Sequence, residues 1–148
     1  MISVRAVEAA AVRPLRQSVL RPHQRAEDLV WAGDLAPTTL HVAAFDGEAM
    51  VAVATIAEEP YPRSPAPGDW RVRGMATTPQ ARGSGAGGAL LDACLDHARA
   101  HGGRRAWCNA RTPARPFYER WGFTAEGDEF ELPQIGPHFL MSLDLASS

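Results

Sequence analysis

The sequence predicts an α/β fold in the broad sense (α+β), a mixed sheet flanked by helices. Three observations carry that expectation. Two apolar runs, 40–45 and 50–56, flank Asp46-Gly47, a dipeptide suited to the positive φ angles of a hairpin turn. A glycine-dense turn from Gly83 to Gly88 leads from an extended stretch directly into an amphipathic helical pattern. Strand-like and helix-like stretches otherwise alternate along the chain, the order of a sheet covered by helices.

Taken in order, Ile2, Val4 and Ala6 alternate with Ser3 and Arg5, the period of a first strand. Over 9–20 the spacing turns helical, with Val12, Leu15, Val19 and Leu20 on one side and Pro14 as the weak point. Arg21-Pro22 ends that helix, and 23–33 reads as a second short helix or a loop. The hairpin follows. Pro60, Pro62, Pro65 and Pro67 then exclude a helix or a central strand and leave an exposed connector. Residues 70–77 are extended again, and Gly74 within them marks a bulge or a close backbone approach. Beyond the glycines a helix runs to about His101, with Leu91, Cys94, Leu95 and Ala98 on one face and Gly102-Gly103 as its stop. A short strand over 106–110, a short helix over 114–120 closed by Gly122, and two late strands over 123–132 and 139–145 complete the chain. Nothing marks a repeat or an internal boundary, so 1–148 reads as one domain.

Composition excludes several functions. A chain of 148 residues with 45% hydrophobic and 22% charged residues is neither disordered nor fibrous. A net charge of −2 with no basic-aromatic stripe argues against nucleic acid. No apolar run nears the roughly 18 residues of a membrane span, and the N-terminal stretch lacks a signal-peptide core. The expected setting is the cytoplasm. All 15 basic residues are arginine, which removes Schiff-base, pyridoxal and P-loop lysine chemistry. Cys94 and Cys108 form no metal-ligand spacing, so no metal site is expected; reduced, half-buried thiols are.

The chemistry lies in the segment Gln80-Ala81-Arg82-Gly83-Ser84-Gly85-Ala86-Gly87-Gly88. The first turn of a helix offers unpaired N–H groups and a positive dipole end, a ready site for phosphate. Glycines there let a backbone approach an anion closely. Gly83 to Gly88 matches the spelling of a dinucleotide fingerprint, GxGxxG, but not its context. Thr77 to Ala81 intervene after the strand, and no carboxylate ends the next strand at Cys108-Asn109.

Arg82-x-x-Gly85-x-Gly87 instead resembles the acetyl-CoA pyrophosphate loop of the GNAT superfamily of N-acetyltransferases. Met75-Ala76-Thr77 resembles that family's fourth strand, whose backbone bonds the pantetheine arm. Phe117-Tyr118-Glu119-Arg120-Trp121-Gly122-Phe123 resembles its FYExxGF segment, and 138–141 its last strand. The resemblance covers about 70–145. It implies a mixed, mostly antiparallel sheet of about six to seven strands with strands four and five splayed around the coenzyme. It also implies direct acetyl transfer from acetyl-CoA to an amine through a tetrahedral intermediate. On that reading Met75, Ala76, Thr77, Arg82, Gly83, Ser84, Gly85, Ala86, Gly87, Gly88 and Asn109 bind the coenzyme, and Tyr118 protonates the leaving thiolate. A tyrosine, with a pKa near 10, is protonated at neutral pH and suits that task.

Two positions depart from the family pattern. The strand-five carboxylate that commonly serves as base is here Ala106, which leaves Glu129, Glu131, His138 or a water for the role. The side chain seven residues before the tyrosine, commonly Asn or Gln, is Arg111, so Asn109 is the preferred pantetheine contact. Arg71 and Arg73 share a strand face and suit either an acidic group on the acceptor or simple solvation. Arg73 and His138 are therefore the substrate-side residues, and Trp31 and Trp107 read as core or lid packing. The implied reaction is acetylation of a primary amine on a small molecule or an amino terminus. A non-catalytic CoA or acyl-CoA sensor of the same fold is the alternative, as is use of another acyl group. A homodimer is also compatible, since dimers are common in that family.

Overall fold

The computed structural model describes residues 1–146. Its strands are β1 (Ile2–Val7), β2 (Leu40–Asp46), β3 (Ala49–Glu58), β4 (Asp69–Thr77), β5 (Arg105–Arg111), β6 (Thr124–Ala125), β7 (Phe130–Leu132) and β8 (Gly136–Asp144). They form one sheet in the order β1-β2-β3-β4-β5-β8-β6, with β7 also paired to β8. Every pairing is antiparallel except β4 with β5. Eight strands replace the expected six to seven because the stretch 123–132 does not form one strand. Glu126 still donates its N–H to the Leu140 carbonyl at 2.8 Å, but the chain then turns away before β7 rejoins β8.

The helix expected over 9–20 is also broken into pieces. A 3₁₀ turn over Ala9–Val12, α1 (Arg13–Leu15) and a π turn over Arg16–Leu20 follow one another. Pro14 has no N–H to donate, so a regular ladder cannot run through it. Residues 23–33 hold only a 3₁₀ turn over Ala26–Asp28. The helix α2 (Ala86–Ala100) does run as its periodicity requires, and α3 (Arg115–Arg120) carries the aromatic segment.

The two faces of the sheet are covered differently. On one face α2 buries Leu90, Leu91, Cys94, Leu95 and Ala98 against Val42, Ile56, Val72 and Cys108. Each fully buried leucine contributes about 1.5–3 kcal/mol. On the other face Val12 packs on Ala43, Val53 and Ala76, so the N-terminal helical turns cover β2, β3 and β4. Cys94 and Cys108 are fully buried rather than half-buried. Burial pushes the Cys94 thiol up to about 12 and raises that of Cys108 as well, so neither is a reactive thiolate. Among the described residues no helix is long and apolar enough to cross a membrane.

Within the second face lies a buried polar cluster. Arg16 is fully buried; its Nη1 donates to Asp34 Oδ2 at 2.6 Å and to the Leu29 carbonyl at 2.9 Å. Its Nη2 donates to Asp34 Oδ1 at 3.0 Å and to Thr55 Oγ1 at 2.9 Å. The Thr55 hydroxyl then donates to His41 Nδ1 at 2.7 Å, and His41 Nε2–H donates to the Asp34 carbonyl at 2.8 Å. This neutral tautomer, assigned from the network, gives His41 and Thr55 one donated and one accepted bond each, while Arg16 Nε has no hydrogen-bond partner.

Gly74 reports on the same cluster. It sits at φ 68°, in a bulge where β3 shifts register between Val53 and Thr55. A Cβ at residue 74 would stand 3.0 Å from both Arg16 Nε and the Trp31 ring, so the close approach and the bulge read from sequence are both present. β4 already parts from β5 just ahead of this bulge. The two share only Asp69↔Arg105, Trp70↔Ala106 and Arg71↔Trp107, and then diverge.

Burial alone would raise the Asp34 pKa. The Arg16 hydrogen bonds, the Trp31 N–H bond and the Arg16 charge outweigh it, and the carboxyl sits below its ordinary value. A carboxyl whose pKa falls on folding stabilises the fold above its unfolded pKa, about 3.9, and loses that contribution as pH falls through the folded value. Asp34→Asn is therefore expected to cost about 3–5 kcal/mol in urea denaturation at pH 7 by leaving Arg16 buried and unpaired. The gap to the parent chain narrows below about pH 4.

Candidate active site

The divergence of β4 from β5 leaves their facing backbone edges without each other, and two cavities open along it. The first, about 670 Å³, lies at the start of α2. Thr78 to Ala81 turn the chain through a 3₁₀ helix, and Gly85 enters α2 at φ 88°, a left-handed conformation that favours glycine. The amides of Gly83, Gly85, Gly87 and Gly88 have no acceptor among the described residues. These four glycines, Gly85 at the N-cap of α2 and Gly87 and Gly88 in its first turn, line a cavity with Thr77, Arg82 and Ala86.

Ser84 departs from this grouping. Its Oγ accepts the Ala86 N–H at 3.3 Å, and it does not line the cavity. Ala76 is buried in the packing against Val12 and lines neither cavity, so its side chain is core. Gly88 serves a purpose the sequence did not reveal. A Cβ there would lie 2.5 Å from the Trp121 ring, so this glycine makes room for an indole. Trp121 is pinned by its Nε1–H bond to Asp92 Oδ1 at 2.7 Å and packs 5.1 Å from the Phe117 ring.

The second cavity, about 370 Å³, lies across Phe117 from the first. It gathers Arg73, Met75, Asn109, Tyr118 and His138, all singled out from the sequence. Tyr118 is held by α3 between Phe117 and Phe123, with ring centroids 5.1 and 5.4 Å away. Burial, with the nearby Cys108 and Cys94 thiols, pushes its phenol well above the ordinary value. It is consequently protonated at neutral pH.

His138 is buried on β8, opposite Arg111 of β5. Its Nδ1–H donates to the Gly136 carbonyl at 2.8 Å, which leaves Nε2 as the ring nitrogen free to meet a substrate. Phe130 stacks on the ring at 6.0 Å. Glu129 and Glu131, the other base candidates, do not line the cavity; both are exposed, and Glu129 accepts a hydrogen bond from Thr112. Ala106 is buried in the core, so no side chain from that position reaches the fork.

Arg71 and Arg73 both line this cavity, but only Arg71 has a carboxylate, with Nη1 3.0 Å from Glu59 Oε2. Trp107 is buried, donating its Nε1–H to the Glu59 carbonyl at 2.8 Å. Trp31 forms part of the wall, its ring beneath Arg16 at 4.0 Å and Arg73 at 4.4 Å. Arg21, absent from the sequence-based candidates, joins them. Its place is set by the end of the π turn, which local periodicity does not disclose.

Comparison with known proteins gives this geometry a family. The model of the acetyltransferase (GNAT) family matches residues 6–123. The uncharacterized N-acetyltransferase YitI of Bacillus subtilis (strain 168) is 30% identical over 149 residues, spanning 100% of this chain and 99% of its own. The chain belongs to the GNAT acetyltransferase family and is an acyltransferase of the N-acetyltransferase kind. Solved structures share the fold at lower identity. Escherichia coli ElaA has a TM-score of 0.77 at 18% identity, covering 96% of this chain and 99% of that one. An aminoglycoside 6'-N-acetyltransferase complexed with coenzyme A has a TM-score of 0.75 at 12% identity, covering 97% of each chain.

Because a Cβ at residue 88 would strike the Trp121 ring, Gly88→Ala is expected to displace α3 from α2. Overpacking of this kind costs about 1–3 kcal/mol, read as a lowered thermal midpoint.

Proposed function

We propose that the chain transfers an acetyl group from acetyl-CoA directly to a primary amine of a small molecule or an amino terminus. The observation that carries this reading is the meeting, at Phe117, of a glycine-lined anion cavity with a cavity holding the Tyr118 phenol and the free Nε2 of His138. Acetyl-CoA supplies an electrophilic thioester carbonyl and a thiolate leaving group. The amides of Gly83, Gly85, Gly87 and Gly88 suit its diphosphate, with Arg82 at the rim. The unpaired edge of β4 and the side chain of Asn109 suit the amides of its pantetheine arm. Tyr118 donates its hydroxyl proton to the departing sulfur.

An alkylammonium must lose a proton before it can attack, and His138 Nε2 is the acceptor of that proton in place of the carboxylate missing at Ala106. The vacancy at Ala106 is also what favours the alternative, a domain that binds CoA without turnover. Thiol release from acetyl-CoA across an amine panel separates the two. Tyr118→Phe is expected to lower kcat by about 10²–10⁴-fold while calorimetry finds CoA affinity unchanged. CoA binding without thiol release for any amine would assign the chain to the sensor class.

A further inference from the structure

We infer that the acceptor amine also carries an anionic oxygen group, a carboxylate or a phosphate, and that Arg21, Arg73 and Arg111 bind it. This inference rests on the acetyl-transfer reading and names the acceptor class for the same cavity. All three arginines line the cavity that holds Tyr118 and His138. None has a carboxylate partner among the described residues, because the nearby acids are already engaged. Glu59 pairs with Arg71, and Asp34 is bound by the buried Arg16.

The three guanidiniums are held in place without being neutralised. Arg21 Nη1 and Arg111 Nη2 both donate to the Leu20 carbonyl, at 3.0 and 3.1 Å, which draws two like charges onto one oxygen atom. Arg73 lies over the Trp31 ring at 4.4 Å, and its buried Nε has no hydrogen-bond partner. Burial and the neighbouring Arg71 lower the Arg73 pKa to about 10, and burial and Arg111 lower that of Arg21. Both shifts register positive charge crowded where water is scarce.

A cavity of this kind opposes a polycationic acceptor and favours an oxyanion, to which arginine donates charge-assisted and often bidentate hydrogen bonds. The same field disfavours the ammonium form of the acceptor and so eases its deprotonation with no carboxylate at Ala106. The coenzyme's phosphates do not account for these residues. The glycine-lined cavity lies on the other side of Phe117 and has Arg82 and Arg120 at its own wall.

The test compares matched acceptors in thiol release: α-amino acids against their carboxamides, O-phosphoethanolamine against ethanolamine, and spermidine as the polycation. The anionic member of a pair is expected to have a kcat/KM about tenfold or more above its neutral partner. Whichever pair shows the larger ratio distinguishes carboxylate from phosphate. Arg73→Gln should raise KM for that anionic acceptor about tenfold with KM for acetyl-CoA unchanged, and Arg73→Lys should recover much of the loss. Arg111→Gln, on β5, provides a second variant should the first unfold, and Arg25→Gln on the exposed surface is the control.

Calorimetry of the same compounds against the CoA-saturated chain reads binding independently of turnover. Tighter binding of the anionic member, lost in Arg73→Gln, supports the inference even if no thiol is released, in which case the acetyl-transfer reading alone fails. Equal or better use of neutral amines or spermidine overturns the inference and leaves acetyl transfer standing. A rise in KM for acetyl-CoA in Arg73→Gln would assign the arginines to the coenzyme and also overturn it. Equal binding of both members of every pair does the same.

Discussion

A buried guanidinium organises this molecule. Arg16 has no access to water, so its charge must be met inside the fold, and Asp34, Thr55 and the Leu29 carbonyl meet it. Those bonds tie the N-terminal turns and the loop around Trp31 to β3. They also fill the space beside residue 74, where only a glycine at positive φ fits. The bulge lies just past the point where, after three residue pairs, β4 and β5 part. The fork on which the proposed chemistry depends is thus linked to a charge pair one layer away from it.

The candidate site divides its labour between backbone and side chains. On the side proposed for the coenzyme the available groups are mostly peptide amides, and the glycines differ in why they are needed. Gly85 supplies a left-handed entry to α2, whereas Gly88 leaves a gap filled by Trp121. In the second cavity the groups are side chains from five separate stretches, with Tyr118 on α3, His138 on β8, Asn109 on β5, Arg73 on β4 and Arg21 after the π turn. Burial keeps the Tyr118 phenol protonated, and the Gly136 carbonyl orients the His138 ring.

Local signals made much of this legible. Asp46-Gly47, the four prolines and the face built on Leu91 and Leu95 report neighbours in sequence, and the corresponding hairpin, connector and α2 formed with small shifts at their ends. The resemblance through Arg82-x-x-Gly85-x-Gly87 and the Tyr118 segment identified the family and the fork. What escaped depends on contacts between distant residues. Pro14 weakened the first helix, but nothing local showed that Arg16 within it would bind Asp34 and Thr55 in the core. The late strand read over 139–145 starts after His138, yet β8 begins at Gly136 and buries that residue. Glu129 and Glu131 were equally suitable bases by type, but Glu129 falls in the break between β6 and β7 and Glu131 is the exposed residue of β7.

The fork has a consequence for association as well as for chemistry. An unsatisfied strand margin on the periphery of a sheet is a hazard, because it can recruit a strand from another molecule. Here the two unsatisfied margins of β4 and β5 face each other across a wedge in the middle of the sheet, with α3 and the Trp31 loop around it. A foreign strand has little room to lie there, whereas a slender linear molecule bearing amide groups can. Geometry that would promote aggregation at a rim becomes, in the interior, a template selective for narrow guests.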